Sequence, residues 1–78
     1  MNFSDALKDL KAGYHLTRKG WNGKGQHDLI PFVAMQNPDE HSANTLPYIY
    51  IITVTGDRVP WLASQTDLLA EDWESITL

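Results

Sequence analysis

The spacing of apolar residues changes several times along the chain, and each change predicts an element. Between residues 4 and 12, Ala6, Leu7 and Leu10 recur at helical spacing. Ser4 is the expected N-cap, Asp5 sits in the first turn and Lys11 in the last, where their charges complement the helix dipole. Gly13 follows as the residue beyond the helix, a place where positive φ costs glycine little. Tyr14 to Arg18 is short and β-prone. Lys19 to Gly25 holds three glycines and an asparagine and predicts a loop. Leu29 to Met35 is continuously apolar and predicts a strand. Pro31 inside it cannot donate to a ladder, which predicts an edge or a bulge. Asn37 to Thr45 is polar and turn-rich, a surface loop.

The strongest strand signal is Pro47 to Val54. Its two faces, Tyr48/Tyr50/Ile52/Val54 and Ile49/Ile51/Thr53, are both apolar, whereas an antiparallel sheet with one wet side alternates apolar and polar residues. One face is expected against the first helix. The other requires a second cover, which a partner chain supplies most economically. Thr55-Gly56-Asp57-Arg58 predicts a hairpin turn centred on Gly-Asp, and Arg58 to Trp61 a short returning strand. Ser64-Gln65-Thr66-Asp67 has the form of a capping box opening a short helix to about Ala70. Trp73, Leu68 and Leu69 are expected in the core, and Trp73 to Leu78 as a last strand. The sum is α+β: one domain over residues 1–78, with an antiparallel sheet of four or five strands and two short helices.

Composition narrows the possibilities. A 78-residue chain buries only about 60–65% of the surface its unfolded form exposes. With no cysteine, disulfides and thiolate metal sites are excluded, so self-association is the expected supplement to a small core. Nothing resembles a signal peptide, and no apolar run approaches the roughly 20 residues of a membrane span; a cytoplasmic protein with no membrane partner is expected. The net charge of −4 argues against DNA or RNA polymers as partners. Its distribution is uneven, since three of the six basic residues (Arg18, Lys19, Lys24) fall within seven positions. A local positive loop on an acidic protein suits a small anionic ligand.

That loop, Arg18-Lys19-Gly20-Trp21-Asn22-Gly23-Lys24-Gly25, is the main candidate for chemistry. Glycines let backbone N–H groups approach an anion. Arg18 can grip a phosphate in bidentate fashion and Lys24 adds a point charge. Trp21 offers a stacking face for a nucleobase, and Asn22 pairs a donor with an acceptor for a base edge. The spacing is neither a P-loop nor a dinucleotide fingerprint. As a bare pattern it also fits a solvated loop with Trp21 folded back on the core. The second candidate is Trp61 with Gln65 at the start of the second helix, where free N–H groups favour anions; Asp67 opposes this unless capping occupies its carboxylate. His15, His27 and His41 match no metal-site spacing, and Ser64 lacks a nucleophile-elbow context. Neither a metal, a cofactor nor a catalytic residue is expected. A small nucleotide hydrolase and a protein-binding or structural module stand as alternatives to a ligand-binding domain.

The stretches Ser4-Asp5-Ala6-Leu7…Leu10-Lys11-Ala12-Gly13…Thr17-Arg18-Lys19-Gly20-Trp21-Asn22-Gly23-Lys24-Gly25 and Trp61-Leu62-Ala63-Ser64-Gln65-Thr66-Asp67-Leu68-Leu69-Ala70-Glu71-Asp72-Trp73 resemble the phage Thoeris anti-defence sponge family, type two. The resemblance implies a small homotetramer that sequesters bacterial immune signalling nucleotides intact, in pockets between protomers. The implied ligands are glycocyclic ADP-ribose isomers and, for some members, cyclic di- and trinucleotides. It implies Trp21 and Asn22 in the pocket, with Arg18, Lys24, Trp61 and Gln65 as neighbours. Gln26 to Leu46 carries no matching motif.

Overall fold

A computed structural model describes residues 1–21 and 30–76. The order of elements is α1 (Phe3–Lys11), β1 (His15–Arg18), β2 (Phe32–Gln36), β3 (Tyr48–Ile52), β4 (Arg58–Pro60), α2 (Gln65–Leu69) and β5 (Trp73–Ile76). The strands form one antiparallel sheet in the order β4-β3-β2-β1-β5. The expected α+β architecture is the observed one, with five strands. β1 to β4 form a meander. The chain then crosses back from the β4 edge and sets β5 beside β1. None of the described helices is long and apolar enough to cross a membrane.

α1 begins earlier than its spacing predicts. Asn2, not Ser4, is the N-cap, and its Oδ1 accepts from the Asp5 N–H at 2.9 Å. Asparagine caps as well as serine, and the early start places Phe3 on the same stripe as Ala6, Leu7 and Leu10. There its ring meets Trp61 and Trp73, with centroids 5.9 and 5.5 Å apart. The helix ends as expected, with Gly13 at φ +98°.

Register assigns every strand residue to a face, because directly paired residues project to the same side. Leu16 pairs with Val33, Val33 with Ile51 and Ile51 with Val59. With Met35, Ile49 and Trp73 they make the face that α1 covers. Buried Ala6, Leu10, Leu16, Val33 and Trp73 form the core cluster, and Trp21 and Trp61 pack against it half-buried. The opposite face presents Phe32, Tyr48, Tyr50, Ile52 and Pro60, with His15 stacked on Phe32 at 4.9 Å. Neither helix packs on this face. It is the second apolar face that the pattern of β3 predicts.

Four local expectations are corrected. Pro31 precedes β2 rather than lying within it, and β2 is an interior strand; the Pro31 carbonyl accepts from Thr17 Oγ1 at 2.7 Å. β3 stops at Ile52, because Thr53 to Asp57 form the turn. Its centre is Val54-Thr55, with Gly56 at φ +86° taking the bulge position that needs a left-handed residue. Leu68 and Leu69 are not core: α2 buries none of its residues, and Leu69 is 78% exposed. A five-residue helix held at its N-terminus by capping need not bury an apolar stripe. Of the strand expected over Leu29 to Met35, Ile30 and Pro31 precede β2 and Leu29 lies outside the described residues, as do the last two residues of the strand expected to Leu78.

Candidate functional site

Arg18 ends β1 on the α1 side of the sheet, paired with Trp73. Its guanidinium is held by two carboxylates from the returning segment. Nε donates to Asp72 Oδ1 at 2.8 Å and Nη1 donates to Asp67 Oδ1 at 2.9 Å. Both partners are partly shielded from water, at 13% and 32% side-chain exposure for Asp67 and Asp72, so solvent screens the pairs less than it would on an open surface. Asp72 then Asp67 push the Arg18 pKa further up, and the Arg18 hydrogen bond holds the Asp72 carboxyl below its ordinary value.

The same carboxylates do local work. Asp67 is the acidic member of the expected capping box: its N–H donates to Ser64 Oγ at 3.1 Å and its Oδ2 accepts from the Ser64 N–H at 3.3 Å. Asp72 Oδ2 accepts from the Gly20 N–H at 3.2 Å, and the Asp72 carbonyl accepts from the Lys19 N–H at 3.1 Å. With the Trp21 N–H donating to the Arg18 carbonyl at 2.9 Å, the turn from Arg18 to Trp21 is pinned to Asp72. A Cβ added to Gly20 would lie 3.6 Å from Asp72 Oδ2, an ordinary contact.

That turn delivers Trp21 to a cluster of indoles. Trp21 stands edge-on to Trp73 at 5.2 Å and to Trp61 at 6.4 Å, while Trp61 stands edge-on to Trp73 at 5.8 Å. The edges of aromatic rings are positive and their faces negative, so perpendicular packing is favourable. Trp73 is the buried centre, and its Nε1–H donates to the Asp67 carbonyl at 2.9 Å. Trp21 and Trp61 form the rim, each part exposed. Trp21 is therefore folded onto the core, as the plainer reading of its loop has it, with part of its ring left to solvent.

Of the residues singled out from sequence, the structure brings Arg18, Trp21 and Trp61 to one end of the α1 face. Gln65 is exposed at the first position of α2, two residues before Asp67. Asn22 and Lys24 lie outside the described residues, as does His27. Asp72 was not singled out: only its position between Arg18 and the Gly20 N–H reveals its part. Among the described residues, no three His, Cys, Asp or Glu side chains gather as a metal site would require.

A second arrangement lies on the open face, outside every sequence motif. Gln36, Ser42, Ala43, Asn44, Tyr48 and Arg58 line a concavity of about 320 Å³. Its residues come from three strands and a loop, and no local pattern joins them.

Fold and site together define a small antiparallel α+β domain in which one helix seals one sheet face over a tryptophan cluster, while the other face stays open and apolar. Over residues 1–76 the chain matches the profile of the Thoeris anti-defense 2-like domain, and it belongs to that family. It is similar to Thoeris anti-defense 2 of Bacillus phage SP01, being 32% identical over 90 aligned positions that cover 99% of this chain and 96% of that protein.

Proposed function

We propose that this domain is a phage anti-defence sponge. It binds cyclic nucleotide immune signals in the host cytoplasm and holds them without breaking them. Glycocyclic ADP-ribose is the first ligand class, and cyclic di- and trinucleotides are the second. The observation that carries this reading is the near full-length family match in a chain whose Trp21 is pinned, part exposed, by a turn tied to Asp72. An indole fixed in this way offers a base a stacking partner with little rotamer entropy left to lose.

Arg18 serves this site as a positioning residue. Two of its donors are occupied by Asp67 and Asp72, so its charge is locally compensated, and its role is to hold the Trp21 turn against α2. Asn22 follows Trp21 directly and Lys24 stands three positions after it; they supply the polar and cationic contacts. Trp61 and Gln65 remain neighbours of the pocket.

The functional form is a homo-oligomer, a tetramer by family resemblance, with the open face of the sheet as a contact between protomers. Phe32, Tyr48, Tyr50 and Ile52 on that face are the type of residue that a protein interface buries at its centre. Among the described residues, Trp73 is the only large aromatic ring sealed within one protomer.

Isothermal titration with glycocyclic ADP-ribose and cyclic dinucleotides tests the reading. Micromolar or tighter binding is expected, with chromatographically unchanged ligand recovered after heating. Absence of binding to all of them overturns it, and new products show an enzyme instead. Trp21→Ala is expected to lose glycocyclic ADP-ribose while keeping the oligomer; loss of the oligomer alone indicates a protein-binding module.

A further inference from the structure

Both oxygens of the Asp67 carboxylate are engaged. Oδ1 accepts from Arg18 Nη1 at 2.9 Å, and Oδ2 accepts from the Ser64 N–H at 3.3 Å. Its main chain makes two further bonds: the N–H donates to Ser64 Oγ at 3.1 Å, and the carbonyl accepts from Trp73 Nε1 at 2.9 Å. One residue, with 13% of its side chain exposed, thus joins the end of β1, the first turn of α2 and the buried centre of the tryptophan cluster.

These ties matter because the rim of the site has two walls of separate origin. Trp21 comes from the turn after β1, which Asp72 pins. Trp61 and Gln65 come from the segment that returns from β4, with Gln65 as the first residue of α2. α2 has five residues and buries none of them, so no apolar stripe fixes its place, and a helix of that length is unstable by itself. Among the described residues, the hydrogen bonds that link α2 to the strands both end on Asp67. Arg18 is then a bridge with a wall at each end: Nε meets Asp72 on the Trp21 side, and Nη1 meets Asp67 on the α2 side.

We infer that Asp67 is a positioning residue of the ligand site: through Arg18 and Ser64 it fixes the Trp61–Gln65 wall relative to Trp21. The inference rests on the sponge reading. With Arg18 as its counter-ion and both oxygens bonded, Asp67 acts on a ligand through the walls it joins.

The test is calorimetry of the intact oligomer with glycocyclic ADP-ribose as the probe. Asp67→Asn is isosteric, but its amide offers one acceptor oxygen where the carboxylate uses two. The main-chain N–H still donates to Ser64 Oγ, so α2 keeps its cap. Walls that must be ordered at the moment of binding should weaken the probe by about tenfold or more. Arg18→Gln cuts the same bridge. The double variant should therefore bind no more than about twofold worse than the weaker single variant, whereas independent substitutions add. Gly13→Ala is the control for lost stability: it lies at the far end of α1 from Phe3, is strained by its positive φ, and should melt lower yet bind as wild type does. Circular dichroism and oligomer mass are recorded for each variant. If wild type does not bind the probe, the reading of the tryptophan site itself fails. If wild type binds it, three results overturn the assignment of Asp67 and leave the sponge reading standing: unchanged affinity in Asp67→Asn, losses that add in full in the double variant, or an equal loss in Gly13→Ala.

Discussion

Trp73 closes the core, and replacing it with phenylalanine separates two contributions to that closure. The indole is 1% exposed, touches Phe3, Trp21 and Trp61, and donates its N–H to the Asp67 carbonyl. Aromatic side chains bury roughly 150–250 Å²; a phenyl ring in the same place forfeits about 50 Å² of this, or about 1.3 kcal/mol at 25 cal/mol per Å². The Asp67 carbonyl would retain only the longer bond from the Ala70 N–H, at 3.4 Å. Because one partner stays, the low end of the penalty applies, about 1 kcal/mol. The expected loss is therefore about 2 kcal/mol, against a total of roughly 4–12 kcal/mol for a domain of this length. At roughly 4–8 °C per kcal/mol, the melting temperature should fall by about 10–15 °C. Trp61→Phe is the control: its ring is half-exposed and its indole N–H has no partner among the described residues, so it should cost less than about 1 kcal/mol. Urea titration followed by circular dichroism avoids the altered tryptophan signal, and a fixed protein concentration removes the effect of association. Equal losses in the two variants would refute the claim that full burial and the bond to Asp67 set Trp73 apart.

Three further outcomes are expected. The Asp72 carboxyl is depressed by its hydrogen bond from Arg18, and that of Asp39 by the His41 N–H; their contributions are complete above the unfolded carboxyl range near about pH 4 and are lost as pH falls through the lower folded values. Urea midpoints should thus hold from neutral pH to about 5 and then fall, with a shallower fall in Arg18→Gln; an identical acid slope in that variant would count against the pairing. Gly13→Ala meets no atom within 4 Å but is forced to φ +98°, so it should cost about 1–2 kcal/mol from backbone strain alone, and an unchanged melting temperature would contradict the positive φ. Ile52→Glu sets a carboxylate in the middle of the open face and should yield a folded protein of lower mass by light scattering; an unchanged mass would show that protomers meet elsewhere.

The local grammar of the chain is readable without a structure. Gly13 ends α1, Ser64 and Asp67 cap α2, and the run from Tyr48 to Ile52 makes a strand with two apolar faces, because each depends only on residues a few positions apart. The misreadings are also local: Asn2 and Ser4 are both capable caps, and what chooses between them is whether Phe3 finds Trp61 and Trp73 to pack against. The strand start near Pro31 and the burial of Leu68 and Leu69 are likewise decided by which neighbours the folded chain supplies.

The candidate sites show the division most clearly. Residue types from Arg18 to Gly25 announce a loop with a cation and an indole, but they do not say what the cation holds. Its partners stand 49 and 54 residues further on, and only the return of β5 beside β1 brings them within hydrogen-bond reach. Charge compensation is a property of distances in space, so a loop that reads as a phosphate grip becomes, at Arg18, a clamp for Trp21. Arg58 behaves in the opposite way. Its sequence surroundings suggest a hairpin and nothing more, and the sheet lays it over Tyr50 beside Gln36 at a concavity. Spacing along the chain determines the elements and their apolar faces; pairing between distant strands decides that Arg18 meets two carboxylates while Arg58 lies over an aromatic ring.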